Sequence, residues 1–255
     1  MSALPVVPRD EGLWTGLRRL TAARIGLQRS GASLATGPLL AFQLAHARAR
    51  DAVHATLDVA RLRTDLVGLG LPILDVASAA ADKQQFLMRP DFGRCLAPEA
   101  DTKLTAHAGR CDIAFVVCDG LSATAAQRHA APVLEALLPG LRDEGLTLAP
   151  LTIVRHGRVA IGDAVARALG ADCVAVLIGE RPGLSAHDSL GAYLTWRPNA
   201  QTTDAERNCI SNIRPDGISY GDAAFKLAHV LRAMRIRKLS GVRLKDDSDR
   251  LLLGN

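Results

Sequence analysis

The sequence predicts an α/β fold: an open, mostly parallel Rossmann-like sheet flanked by helices, preceded by a small helical N-terminal domain. Three observations carry that expectation. The chain changes character near residue 110, from apolar residues at helical spacing to short apolar runs separated by helix-length segments. The runs Ile113–Cys118, Leu151–Val154 and Cys173–Ile178 are continuous rather than alternating, as suits strands covered on both faces. Strand, helix, strand, helix, strand in that order implies right-handed crossovers and a parallel sheet. The expected division is 1–95 for the helical domain and 96–255 for the α/β domain.

In chain order, Leu13, Leu17, Leu20 and Arg24 recur at helical spacing and predict a first helix. A second is expected to open at Thr36–Gly37–Pro38, with threonine as cap and proline in the first turn, and to run to Leu57. A third covers Val59 to Val67 and ends at Gly68 and Gly70. Val76–Lys83 and Asp91–Leu96 read as loop and short-helix material. After the first strand, Ala123–Leu141 reads as a helix that Pro132 and Pro139 must bound or kink. Gly162–Leu169 is a helix closed by Gly170, and Tyr220–Leu239 is a long final helix.

Composition narrows the function classes. Hydrophobic residues make up 48% and aromatics only 4%, so the core must be built mainly of Ala, Leu, Val and Ile. No apolar run approaches the roughly 20 residues that span a bilayer, and Met1–Leu13 lacks the basic start and apolar stretch of a secretory signal. The expectation is a soluble, cytoplasmic protein with no membrane partner. The net charge is +5, but the arginines are spread among acids without interleaved aromatics, so no nucleic-acid partner is expected. A mildly basic surface meeting an acidic partner subunit accounts for the excess. The five cysteines form no C-x-x-C pair, which argues against a zinc site or disulfide framework and leaves buried free thiols as the expectation.

Open parallel sheets bind ligands beyond the carboxyl ends of their strands. Here those ends read Asp119–Gly120–Leu121–Ser122, Arg155–His156–Gly157–Arg158 and Gly179–Glu180–Arg181–Pro182–Gly183, so glycines and charged groups converge on one rim. Glycine lets a ligand approach the backbone closely. No G-x-G-x-x-G follows a strand and no Walker loop is present. Ser122 lacks a G-x-S-x-G elbow. His156 is either a general base or, as the commoner case, a hydrogen-bonded rim residue. Asp119 reads as a capping group beside Ser122, and Cys209, with no evident base, as a small polarizable wall against a ligand.

Phe86–Leu87–Met88–Arg89–Pro90–Asp91–Phe92–Gly93–Arg94, Asp119–Gly120–Leu121–Ser122, Val154–Arg155–His156–Gly157–Arg158–Val159, Gly179–Glu180–Arg181–Pro182–Gly183–Leu184 and Arg207–Asn208–Cys209–Ile210–Ser211–Asn212–Ile213 together resemble the ethanolamine ammonia-lyase small-subunit family. The resemblance runs from about Leu17 to Gly241. It implies an ammonia-lyase subunit that binds adenosylcobalamin where it meets the large subunit, which carries the substrate site. It implies radical conversion of ethanolamine to acetaldehyde and ammonia, and a hetero-oligomer in a bacterial microcompartment. The family's cobalamin-contacting positions match Val159, Glu180 and Cys209 here; no catalytic and no metal-ligating residue is expected in this chain. No D-x-H-x-x-G motif is present, so no histidine is expected on cobalt. His156 departs from the tyrosine familiar at its position, and the tail Asp246–Asn255 is unfamiliar and expected to fray.

Overall fold

The computed structural model describes residues 11–248. The N-terminal stretch read as lacking a signal lies largely outside the described residues, as does most of the unfamiliar tail. The elements run α1 (Glu11–Arg18), β1 (Arg29–Ser30), β2 (Ser33–Leu34), α2 (Thr36–His54), α3 (Val59–Val67), β3 (Ile73–Ala77), α4 (Lys83–Met88), α5 (Pro98–Thr105), β4 (Cys111–Cys118), α6 (Ala123–Asp143), β5 (Leu151–Arg155), α7 (Ile161–Leu169), β6 (Ala171–Gly179), β7 (Leu190–Trp196), β8 (Arg207–Ile213) and α8 (Tyr220–Arg237). Beside a two-strand ribbon, β1 with β2, one mixed six-strand sheet has the order β3-β5-β4-β6-β7-β8. Its first four strands are parallel, and β7 and β8 are antiparallel to their neighbours. The architecture is therefore α/β, with a mostly parallel sheet between helices.

The three continuous apolar runs are its central strands, and their continuity has a direct cause. Ile113, Phe115 and Val117 of β4 face one core with α3, α6 and α8. Ala114, Val116 and Cys118 face a second core with α5 and α7. A strand whose alternate residues enter two apolar layers shows no polar face. The cap of α7 also follows its residue: Gly170 turns left-handed at φ 76 and its N–H returns to the Ala166 and Arg167 carbonyls.

Several expectations are corrected. The first helix stops at Arg18, short of Leu20 and Arg24; the Arg18 guanidinium reaches forward to the carbonyls of Ile25 and Gly26 and holds a turn there. The α2 cap falls on Ala35, with no side-chain bond, and the helix ends at His54 because Asp58 caps α3 by accepting from Arg61 N–H at 3.0 Å. Within the segment read as helical, loop and short-helix, Ile73–Ala77 is the edge strand of the sheet. Pro132 and Pro139 do not divide α6, which runs through both. Cys118 and Cys173 are buried as expected, whereas Cys95 and Cys209 are exposed, on a loop and on the outermost strand. No helix among the described residues is long and apolar enough to cross a membrane.

The α6–α8 contact carries a titratable group. His129 of α6 is buried, with Nδ1 2.9 Å from the Tyr220 hydroxyl that opens α8. Burial pulls its pKa below the ordinary 6.5, with Asp188 opposing. The folded state therefore binds this proton more weakly than the unfolded chain, so its contribution is complete above pH 6.5 and is lost as pH falls through the lowered value. The urea midpoint should drop across that window, and His129→Gln should flatten the slope. An unchanged slope in the variant would show that His129 is not the group responsible.

Candidate functional site

Ligands of open sheets sit where successive strand-end loops leave toward opposite faces. In this sheet β4 and β5 are neighbours; β4 leads into α6 in one core and β5 into α7 in the other. Asp119 fills the crevice between them, almost fully buried. Its Oδ1 accepts from Gly157 N–H at 3.2 Å, and its Oδ2 lies 3.2 Å from His156 Nδ1 and 3.9 Å from Lys83 Nζ. The His156 nitrogen stands beside the carboxylate but is misaligned for a hydrogen bond, and it makes none. Asp119 is thus a staple between strand ends rather than a cap. Ser122 caps α6, accepting from Ala125 N–H at 3.3 Å while donating to the His187 carbonyl at 3.0 Å. His156, at φ 57, takes the rim position expected of it, its ring against Phe86.

Beyond the crevice the surface opens into a two-lobed trough. One lobe, about 510 Å³, is walled by Arg94, Arg158, Val159, Tyr193, Arg207 and Cys209 among others. The second, about 440 Å³, is walled by Leu121, Arg158, Val159, Glu180, Arg181 and Tyr193 among others. Arg158, Val159 and Tyr193 belong to both, so the lobes are continuous. Val159, Glu180 and Cys209, far apart in sequence, thus stand on one trough, Val159 and Glu180 partly exposed and Cys209 exposed.

Each is held differently. Val159 precedes α7, and its carbonyl accepts from Gly162 N–H at 3.2 Å. Glu180 is fixed by its own chain: Oε1 accepts from the Ser211 hydroxyl at 2.5 Å, and Oε2 accepts from the Ser189 hydroxyl and from Asn212 N–H at 3.2 Å. A carboxylate offers about four acceptor positions, so these three leave one free. Cys209 reaches the trough because β8 folds back on β7, which sets it opposite Tyr193. Burial pushes its thiol up, with the Tyr193 hydroxyl opposing, so the sulfur stays protonated at neutral pH and serves as wall rather than nucleophile. A buried ion pair anchors that strand: Arg207 Nη1 and Nη2 donate to Asp163 Oδ1 and Oδ2 of α7, both at 2.7 Å.

Arg158 went unremarked as a site residue. Its guanidinium lies 4.2 Å over the buried Phe86 ring, and Nη2 donates to the Phe86 carbonyl at 3.1 Å. Tyr193 was also missed, because β7 was not read as a strand. Lys83 Nζ lies 5.0 Å from the Phe86 ring centre and donates to the Gly120 carbonyl at 3.1 Å; burial lowers its pKa. The trough therefore presents fixed donors, one spare carboxylate acceptor position and an apolar wall, with no paired nucleophile and base. That chemistry binds and orients.

A family model described as ethanolamine ammonia-lyase light chain (EutC) matches residues 11–245. A protein of Azotobacter vinelandii named ethanolamine ammonia-lyase small subunit is 53% identical over 246 residues, 95% of this chain and 91% of its own length. The protein of that name from Xanthomonas campestris pv. campestris is 53% identical over 258 residues, covering 100% of this chain and 94% of its own. That of Pseudomonas aeruginosa is 50% identical over 243 residues, 94% and 89% of the two chains.

Proposed function

The chain belongs to the ethanolamine ammonia-lyase light-chain family, and from that premise we propose that it is the cofactor-holding subunit of a two-chain lyase, binding adenosylcobalamin together with a large subunit. The single observation that carries this reading is the convergence of Val159, Glu180 and Cys209 on one trough at the strand ends. When bound, adenosylcobalamin supplies a cobalt–carbon bond whose homolysis starts the deamination of ethanolamine to acetaldehyde and ammonia.

The residues present fit that group. A corrin edge is rich in amides, so its binder needs acceptors and donors together. Glu180 keeps one acceptor position free, and Arg158 Nε is buried without a hydrogen-bond partner. The Val159, Leu121, Ile178 and Tyr193 side chains offer apolar wall to the ring face.

A large-subunit partner accords with an exposed apolar surface. Leu13, Leu17 and Leu20 in or just after α1, and Leu40, Phe42 and Leu44 of α2, all stand in solvent. An apolar surface of this kind marks an interface. Closure of a second chain over the trough would exclude water from reactive intermediates. The reading carries with it the family's cytoplasmic setting in a bacterial microcompartment.

The test is co-expression with the large subunit, then equilibrium dialysis against cobalamin. The complex should bind the corrinoid, and ethanolamine deamination should require both chains. Glu180→Gln should weaken binding by about tenfold, the worth of one charge-assisted hydrogen bond. Deamination by the isolated chain, or a complex that binds no corrinoid, would overturn the proposal.

A further inference from the structure

We propose that Arg158 and Arg181 form a phosphate subsite in the trough, a site for the anionic phosphoryl group of a ligand; the tail phosphodiester of cobalamin is its expected source, which rests on the cofactor-holding reading above. Both guanidinium-bearing side chains line the same lobe as Glu180. Neither is in an ion pair among the described residues, and Arg181 makes no hydrogen bond there either. The acids nearby are committed elsewhere. Asp119 lies between Lys83 and His156. Glu180 accepts from Ser189, Ser211 and Asn212. Asp163 and Asp204 both lie on Arg207, and Asp204 also faces Arg94 at 3.6 Å.

Arg158 is a built part of this surface. Phe86 supports its guanidinium from one side and accepts from Nη2, while its backbone N–H donates to the Gly93 carbonyl at 2.7 Å. A Cβ on Gly93 would stand 2.8 Å from the Arg158 Cγ, so glycine there makes room for the side chain. Nε is left without a partner. Burial lowers the Arg158 pKa, and the neighbouring charges of Arg181 and Arg94 push the same way, with Asp119 opposing. Arg181 stands beside Glu180 on the loop that Gly179 and Gly183 bracket, exposed. Two guanidinium groups in one lobe, neither paired with a carboxylate among the described residues, form an arrangement that an anion stabilises, and their planar donor forks match phosphate oxygens.

The experiment compares cobinamide with cobinamide phosphate, ligands that differ by that group, in equilibrium dialysis against the two-chain complex. Wild type should prefer cobinamide phosphate by about tenfold, one charge-assisted contact, and Arg158→Gln with Arg181→Gln should abolish the preference, read as the ratio of the two affinities in each protein. Arg181→Gln alone, on an exposed side chain, should remove part of it and serves if the double variant does not fold. In a parallel arm, inorganic phosphate should raise the melting temperature of wild type but not of the variant. A phosphate effect without discrimination between the two corrinoids keeps the subsite and assigns it to free phosphate. A complex that binds phosphate but no corrinoid keeps the subsite and ends the cofactor-holding reading. Equal losses for both corrinoids, or no change in either arm, would overturn the subsite itself.

Discussion

Replacing Asp163 by alanine should lower folding stability by about 3–5 kcal/mol, the cost of leaving one member of a buried ion pair alone. The geometry makes that the expected class of effect. The Arg207 side chain is 3% exposed and the Asp163 side chain 9%, and the two meet by parallel hydrogen bonds of 2.7 Å. Arg207 Nη1 also donates to the Thr195 hydroxyl at 3.1 Å, and Nε to Asp204 Oδ1 at 3.2 Å. Without Asp163 the guanidinium keeps one exposed carboxylate on one edge and faces a cavity on the other. Its desolvation then has no offset. Urea unfolding followed by circular dichroism would read the loss as a lower midpoint. Replacing both residues, Asp163→Leu with Arg207→Met, should recover a large part of it, because an apolar pair of similar volume has no stranded charge. A single-variant loss below about 1 kcal/mol, the range of exposed pairs, would mean the pair is solvated in solution. The same variant should disturb ligand binding, since the pair fastens β8, and Cys209 with it, to the helix that follows Val159.

How much of this was legible follows from which signals are local. β4, β5 and β6 announced themselves because each is buried on both sides, which writes an unbroken apolar run into the sequence. β3 hid behind its own alternation: Leu74 and Val76 are buried while Ile73, Asp75 and Ala77 are partly exposed, and five residues with an aspartate in the middle read equally as loop. β7 and β8 hid because they are joined by residues 197–206 rather than a tight turn, and β8 carries Arg207, Asn208, Ser211 and Asn212. α6 ran against expectation for a different reason. Two prolines remove helix hydrogen bonds, but Leu134, Leu137, Leu138 and Leu141 are buried across that stretch, and their burial outweighs the loss.

The site divides along the same line. The Gly-rich rim was readable because strand-end loops lie next to the strands that predict them. Cys209 reaches the trough only through the antiparallel return of β8, so its own segment suggested a wall against a ligand, and only the family resemblance set it with Val159 and Glu180. Arg158 and Arg181 sat inside quoted motifs, yet their convergence depends on the spacing of β5 and β6 on either side of β4, which no local pattern encodes. Glu180 was foreseen as a rim contact; that Ser189, Ser211 and Asn212 already occupy most of its acceptor capacity was not.

Gly179→Ala should be the most damaging small substitution at the rim, with a loss of about 3 kcal/mol or more. A Cβ there would overlap the Ser122 carbonyl oxygen and lie 2.6 Å from that of Asp119. Those are backbone atoms, so no rotamer change can make room. The opposing loop has no slack either: Gly120 sits at φ 54 with its own Cβ direction blocked by Gly179, and Leu121 N–H donates to the Gly179 carbonyl at 3.0 Å. The two strands are in register up to Cys118 opposite Ile178, so separating the loops would pull β6 off β4 at the place where Glu180 begins. Gly140 supplies the control. It lies within α6 with open space where a Cβ would go, and Gly140→Ala should stabilise by about 0.5–1 kcal/mol through helix propensity and a less free unfolded chain. The same added methyl should thus act with opposite sign at two positions, read by chemical denaturation of each variant. If Gly179→Ala were as benign as Gly140→Ala, the backbones of the two strand ends would not be nested, and the rim that holds Glu180 over the trough would have another architecture.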